Sequence, residues 1–203
     1  MKHATSQMLF AYWDGLRGER AAPERGAVEP GQIRSILADT FVLARENGGG
    51  ASFRLAGTRC EALFGRDLKG LEFSSLFAGR HRHDADAMIE AVTTDTVGIV
   101  AGLVATTHAG PSVPLELLLL PLRHRGRGDI RLMGALSTRV LPSWIGLFTV
   151  AGLEVRSTRV ITAAPEPAPV EVRPDQALER RRRFVVLDGG RASSPDPAGA
   201  SRV

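Results

Sequence analysis

The sequence predicts an α+β fold: a five-stranded antiparallel sheet of order 2-1-5-4-3, helices on one face, an N-terminal helical extension and a disordered C-terminal tail. Three observations carry that reading. β-rich residues 40–45 and 52–57 flank Asn47-Gly-Gly-Gly50, whose residue types accept positive φ, and together they read as an antiparallel hairpin. Residues 99–107, 113–123 and 130–138 are three further β-rich runs. The short turns His108-Ala-Gly-Pro111 and Arg125-Gly-Arg-Gly128 join them into a meander. Helical spacing fills the interval between the two sets. Setting the first strand beside the last gives the order, and the helices then cover one face of the sheet.

Taken in order, the chain begins with Met8, Leu9, Tyr12, Trp13 and Leu16 at helical spacing. Two aromatics ahead of the main domain need a surface to bury them, on the domain itself or on a second subunit. Pro30 suits the first position of a helix, and Ile33, Ile36 and Leu37 give a short one ending near Asp39. In the hairpin Phe53 and Leu55 share one face while Arg54 takes the other. Thr58 and Glu61, three apart, read as a capping box for a short helix that sends Leu63 and Phe64 inward. Gly65 and Gly70 bracket the loop after it. Phe73, Leu76 and Phe77 make one irregular helical turn. From Asp84 a longer helix places Ala85, Met88, Ile89 and Val92 on one face, with Gly98 as its stop. Pro114 and Pro121 fit strand ends better than a central ladder position. Val150, Leu153, Val155 and Val160 spell a weak edge strand. Pro165, Pro167, Pro169 and Pro174 stiffen residues 163–174 into an extended linker. The chain thus divides into a helix and connector (1–29), a sheet domain (30–160), and a Pro-rich linker with a flexible tail (161–203) holding a short motif at 180–191.

Composition sets the function classes. The net charge of +4 comes from 26 basic residues of which only Lys2 and Lys69 are lysines. The charge is dispersed: residues 163–203 hold seven arginines against six carboxylates, a surplus of one. A nucleic-acid binder concentrates its charge on one face or element, so nucleic acid is not the expected partner. A single cysteine, Cys60, rules out an intramolecular disulfide and suits a reducing cytoplasm. No segment approaches the ~20 uninterrupted apolar residues of a membrane span.

Leu63-Phe-Gly-Arg-Asp-Leu-Lys-Gly70 resembles the segment of PAS domains in which a helix runs into Phe-Gly and, five residues on, a second Gly. The chain also resembles a family of short single-PAS proteins of alphaproteobacteria. The matching stretches are Arg20-Ala-Ala-Pro-Glu-Arg25, Glu29-Pro30, Phe53-Arg-Leu-Ala-Gly-Thr58, Pro142-Ser-Trp-Ile-Gly146 and the tail Val186-Leu-Asp-Gly-Gly-Arg191. The resemblance implies a sensory and protein-interaction module whose helices and inner sheet face enclose a ligand pocket or a packed core. It also implies an outer face and N-terminal helix used for dimers. The expected function is a regulatory module of bacterial signal transduction, not an enzyme, acting through protein–protein contact without an attached output domain. The alternatives are a small-molecule or cofactor sensor using the same cavity and, more remotely, a small enzyme on a related scaffold.

The candidate residues follow. Leu43, Phe53, Leu55, Phe64, Phe73, Phe77, Met88, Leu103, Leu117, Leu119, Leu132 and Met133 form the expected interior, either a filled core or the lining of an apolar ligand site. Met8, Leu9, Tyr12, Trp13 and Leu16 are the expected partner surface, with a homodimer through their helix. In the tail, Arg181, Phe184, Val186 and Asp188 are the candidate docking residues. Cys60 follows a helix start, where a dipole lowers a thiol pKa, yet Gly57-Thr-Arg-Cys-Glu61 lacks the Asn-Cys-Arg pattern of flavin-binding light sensors; a packed thiol is the expectation. His81 and His83 stand two apart, so they do not share a helix face, and no metal or cofactor is firmly implied. Asp84, Asp86 and Glu90 suit a helix start and have no nucleophile beside them in sequence.

Overall fold

A computed structural model describes residues 1–45, 49–108, 111–123, 130–145 and 147–161. The tail residues Arg181, Phe184, Val186 and Asp188 lie outside the described residues, as do the centres of the three predicted turns. Six antiparallel strands form one sheet in the order β2-β1-β5-β4-β3-β6. They are β1 (Thr40–Arg45), β2 (Ala51–Ala56), β3 (Gly98–Thr107), β4 (Val113–Leu122), β5 (Ile130–Ser137) and β6 (Val150–Ile161). The helices are α1 (Ala4–Arg17), α2 (Thr58–Phe64) and α3 (His81–Thr94), with short 3-10 turns at Pro30–Ile33, Leu37–Asp39 and Phe73–Leu76. The expected order 2-1-5-4-3 is present, and β6 extends it beyond β3. That weak edge strand is the longest in the sheet at 12 residues.

Both faces of the sheet's central strands are buried, so β4 is apolar on both sides. Leu115, Leu117 and Leu119 join the inner layer with α2, α3 and the Phe73–Leu76 turn. Leu118, Leu120 and Leu122 join an outer layer with Leu9 and Trp13 of α1, Ala22, Ile33 and Ile36. The expected helix ending near Asp39 is instead the two 3-10 turns, which suffice to place Ile33 and Ile36 on that layer. Pro121 sits beyond Leu119, the last β4 residue in the β3 register, so its missing N–H interrupts no ladder with β3, and it stays opposite Leu132 of β5. Its carbonyl instead accepts a 2.8 Å hydrogen bond from the Trp13 indole Nε1.

Three expectations need correction. Leu55 is 58% exposed. The register passes from Val42↔Leu55 to Leu43↔Phe53, so Arg54 is an extra residue in β2. That bulge undoes the alternation: Phe53 stays opposite inward Leu43, and Leu55 turns to the other face with Val42. Met133 belongs to the outer layer, because Leu132 and Leu136 hold the inward positions of β5. The Thr58–Glu61 capping box is not formed. Gly57 is the N-cap of α2 and makes no side-chain cap bond, leaving Thr58 inside the first turn. Gly57 is fixed by a close approach: a Cβ there would collide with the carbonyls of Leu37 and Ala38. In addition, α3 begins at His81 and ends at Thr94, and Gly98 is already strand.

Trp13 is fully buried and hydrogen-bonded, so replacing it tests the outer layer. Trp13→Phe, which orphans the Pro121 carbonyl, is expected to cost about 1–3 kcal/mol in urea denaturation. Trp13→Ala is expected to cost about 3–5 kcal/mol.

Candidate functional site

The inner layer gathers ten of the twelve expected interior residues: Leu43, Phe53, Phe64, Phe73, Phe77, Met88, Leu103, Leu117, Leu119 and Leu132 are all buried in one cluster. At its centre the rings touch one another. Phe41–Phe53 centroids are 5.5 Å apart, Phe53–Phe73 5.9 Å, Phe41–Phe73 6.0 Å and Phe73–Phe77 5.2 Å. These spacings lie in the favourable range for edge and tilted aromatic pairs. Phe41, absent from the expected set, is the ring that closes the triangle; its place two residues before Leu43 on β1 was the available signal. Its ring lies over Gly134 of β5, where a Cβ would collide with it and with the Leu118 carbonyl.

The expected partner stripe on α1 is divided. Leu9 and Trp13 are buried against the chain's own sheet, Tyr12 and Leu16 are half-buried, and Met8 is exposed. Phe10 stacks on Trp13 at 5.9 Å, and the Arg17 guanidinium lies 5.5 Å from the Trp13 ring centroid. The start of α1 is clamped by Glu116 of β4, a buried carboxylate on the outer face. It accepts the backbone N–H of Lys2 at 2.7 Å and of His3 at 3.0 Å, while His3 Nδ1 lies 3.1 Å from both the carbonyl and the hydroxyl of Ser137. Burial pushes the Glu116 carboxyl up. The amides of His3 and Lys2 outweigh it and hold the carboxyl below its ordinary value, and the buried Ser6 hydroxyl, which makes no short hydrogen bond, acts in the same sense.

Beside α2, Arg59 grips Asp39 with two 2.6 Å hydrogen bonds. The hydrogen bond to Asp39 raises the Arg59 pKa. Cys60 is buried next to this pair. Burial, with the Asp39 charge adding, pushes its thiol up to about 12. The thiol is therefore packed and protonated.

Two open clefts flank α3. One, about 470 Å³, lies at the β1–β2 side and is lined by Arg45, Glu72, His83, Asp86 and Glu90. The other, about 490 Å³, runs between α3 and β6, with Met88, Ala91, Ile99, Val155 and Val160 among its walls. At the mouth of the second, His81 Nδ1 lies 3.3 Å from the Val155 amide and 2.9 Å from Asp84 Oδ2. A bare Nδ1 accepts from Val155; a protonated one donates to Asp84. Spacing alone did not point to this role for His81, because its partner Val155 is 74 residues away. Asp84, Asp86 and Glu90 are divided between the two clefts. Asp86 and Glu90 line the first, where Arg45 pairs with Glu90 and holds its carboxyl below the ordinary range and the Thr94 hydroxyl donates to Glu90. Asp84 lines the second and faces His81. Between β5 and β6 the chain exposes large apolar side chains: Val140 (76%), Leu141, Leu147 (79%) and Phe148.

Among the described residues no three His, Cys, Asp or Glu side chains come together as a metal set, and no helix is long and apolar enough to cross a membrane. A family model described as "PAS domain" matches residues 1–137, from α1 to the end of β5. The chain belongs to the PAS domain family. It is a module of the sensory and signal-transduction type. A comparison with curated proteins returned no match. Measured against the PAS domain match, the apolar 140–148 segment and β6 both lie past its end.

Two outcomes are expected. Cys60 in the folded PAS domain resists iodoacetamide at pH 8 and reacts once urea unfolds the chain; rapid labelling of the native protein would contradict the burial. Glu116, with its native pKa below the reference 4.5, contributes stability that is fully present above 4.5 and is lost as pH falls through the lowered native value. Glu116→Gln is expected to lose about 1–3 kcal/mol near pH 7. Its deficit against the parent should shrink at acid pH, as read from urea midpoints across the pH series.

Proposed function

We propose that this PAS domain is a cytoplasmic regulatory module that signals through contact with a protein partner rather than by reading a small molecule in its interior. The observation that carries the reading is the ring set Phe41, Phe53, Phe73 and Phe77. Side chains of the chain itself occupy the centre of the inner layer, where a sensory ligand would otherwise lie. The exposed apolar run Val140, Leu141, Leu147 and Phe148 adds support, since solvent-facing side chains of that size gain free energy when a partner covers them. The chain's motifs also resemble those of short single-PAS proteins of alphaproteobacteria, and a role of this kind fits that resemblance.

Native mass spectrometry of protein purified from its own host tests the reading. The expected spectrum shows the mass of the chain with no small molecule retained. A metabolite screen by thermal shift should give no hit that Phe53→Leu or Phe73→Leu abolishes. A tightly held metabolite or cofactor released on unfolding would transfer the sensing role to the inner cavity and defeat the proposal.

A further inference from the structure

We infer that residues 156–161 of β6 are a docking edge for an extended, acidic segment of a partner protein, which adds to the sheet as a seventh strand. This rests on the protein-contact reading above and gives it a surface. β6 is the terminal strand of the sheet, so one of its long sides faces away from β3. The first part of that side is already closed by the chain. Phe77 bridges Leu153, the Ala78 amide donates to the Leu153 carbonyl at 3.0 Å, and the Val155 amide meets His81. From Arg156 onward no described residue pairs with β6 on that side, and residues 156–160 are exposed. An open row of strand amides and carbonyls is a template for another strand.

The surroundings select what would pair there. The α3–β6 cleft runs beside the open backbone, and Ala87 and Ala91 on the helix wall leave it room. Alternate apolar side chains of an added strand would enter it beside Val155 and Val160, the latter 58% exposed. Residues 155–161 read Val-Arg-Ser-Thr-Arg-Val-Ile, with two arginines and no carboxylate. Arg156 shares Glu154, whereas Arg159 has no carboxylate partner among the described residues. Asp84, the acidic group on the cleft wall, already faces His81. A strand carrying Glu or Asp on its other face therefore complements the edge. A second copy of β6 would bring the same arginines against each other, which disfavours self-pairing.

The probe is a fluorescein-labelled peptide of alternating Val and Glu, titrated into the full chain and followed by anisotropy and amide hydrogen exchange. Saturable binding is expected, with new protection confined to residues 156–161. A Val/Lys peptide should bind at least about tenfold more weakly, and Arg159→Glu should reverse that preference. A peptide N-methylated on the pairing side should not bind. Several results would overturn the inference: no binding, equal binding of both peptides, protection at 140–148 instead, protection of 156–161 that appears only on dimerisation, or protection already present in the free monomer. A protein partner that protects another surface would refute the edge assignment while leaving the proposed function standing. A retained small molecule would refute that function without touching the peptide result.

Discussion

Burial of β4 on both faces is the constraint on which the rest of the structure depends. Leu117 and Leu119 point into the inner layer, Leu118 and Leu120 into the outer one, and all four are essentially inaccessible to water. A strand with that pattern has no solvent side, so the chain must supply cover twice. The inner cover is α2, the Phe73–Leu76 turn and α3; the outer cover is α1 with residues 22–36. Burying a side chain of this size is worth about 1.5–3 kcal/mol, so neither cover is dispensable. This is why the N-terminal helix, which by sequence alone belonged equally well to a second subunit, lies on its own sheet.

The fold was legible because its signals are local. The Gly-rich hairpin, the meander and the 3.6-residue period of α3 each lie within a few residues, and the motif around Phe64 and Gly70 marked the family. What could not be read depends on pairing. The bulge at Arg54 exists only as a mismatch between β1 and β2, so Leu55 looked inward on alternation alone. Met133 fell on the outer layer because both faces of β5 are buried, and hydrophobicity then ceases to report which face is which. The capping box at Thr58 failed for a related reason: Gly57 is pressed against the Leu37 and Ala38 carbonyls, and that contact fixes where the helix starts.

The interior residues were found as a set, yet the set could not tell a filled core from a ligand pocket, since both need the same side chains. The contacts among Phe41, Phe53, Phe73 and Phe77, on which the proposed reading rests, are set by tertiary packing and leave no mark in the sequence. The features past the family match were the hardest to see. β6 is an ordinary weak strand in sequence, and its half-closed edge depends on His81, far away in the chain.

The two anchors of α1 fall on a single strand. His3 meets Glu116 and Trp13 meets Pro121. Ten residues of helix rise about 15 Å, and five residues of strand advance about 17 Å. The helix therefore lies along β4 like a splint cut to length. Inserting or deleting one residue in either element between the anchors throws one end out of reach. The pair of anchors thus sets the length of β4 that α1 can cover, and the residues between them, Leu118 and Leu120, lie in the outer layer beneath it.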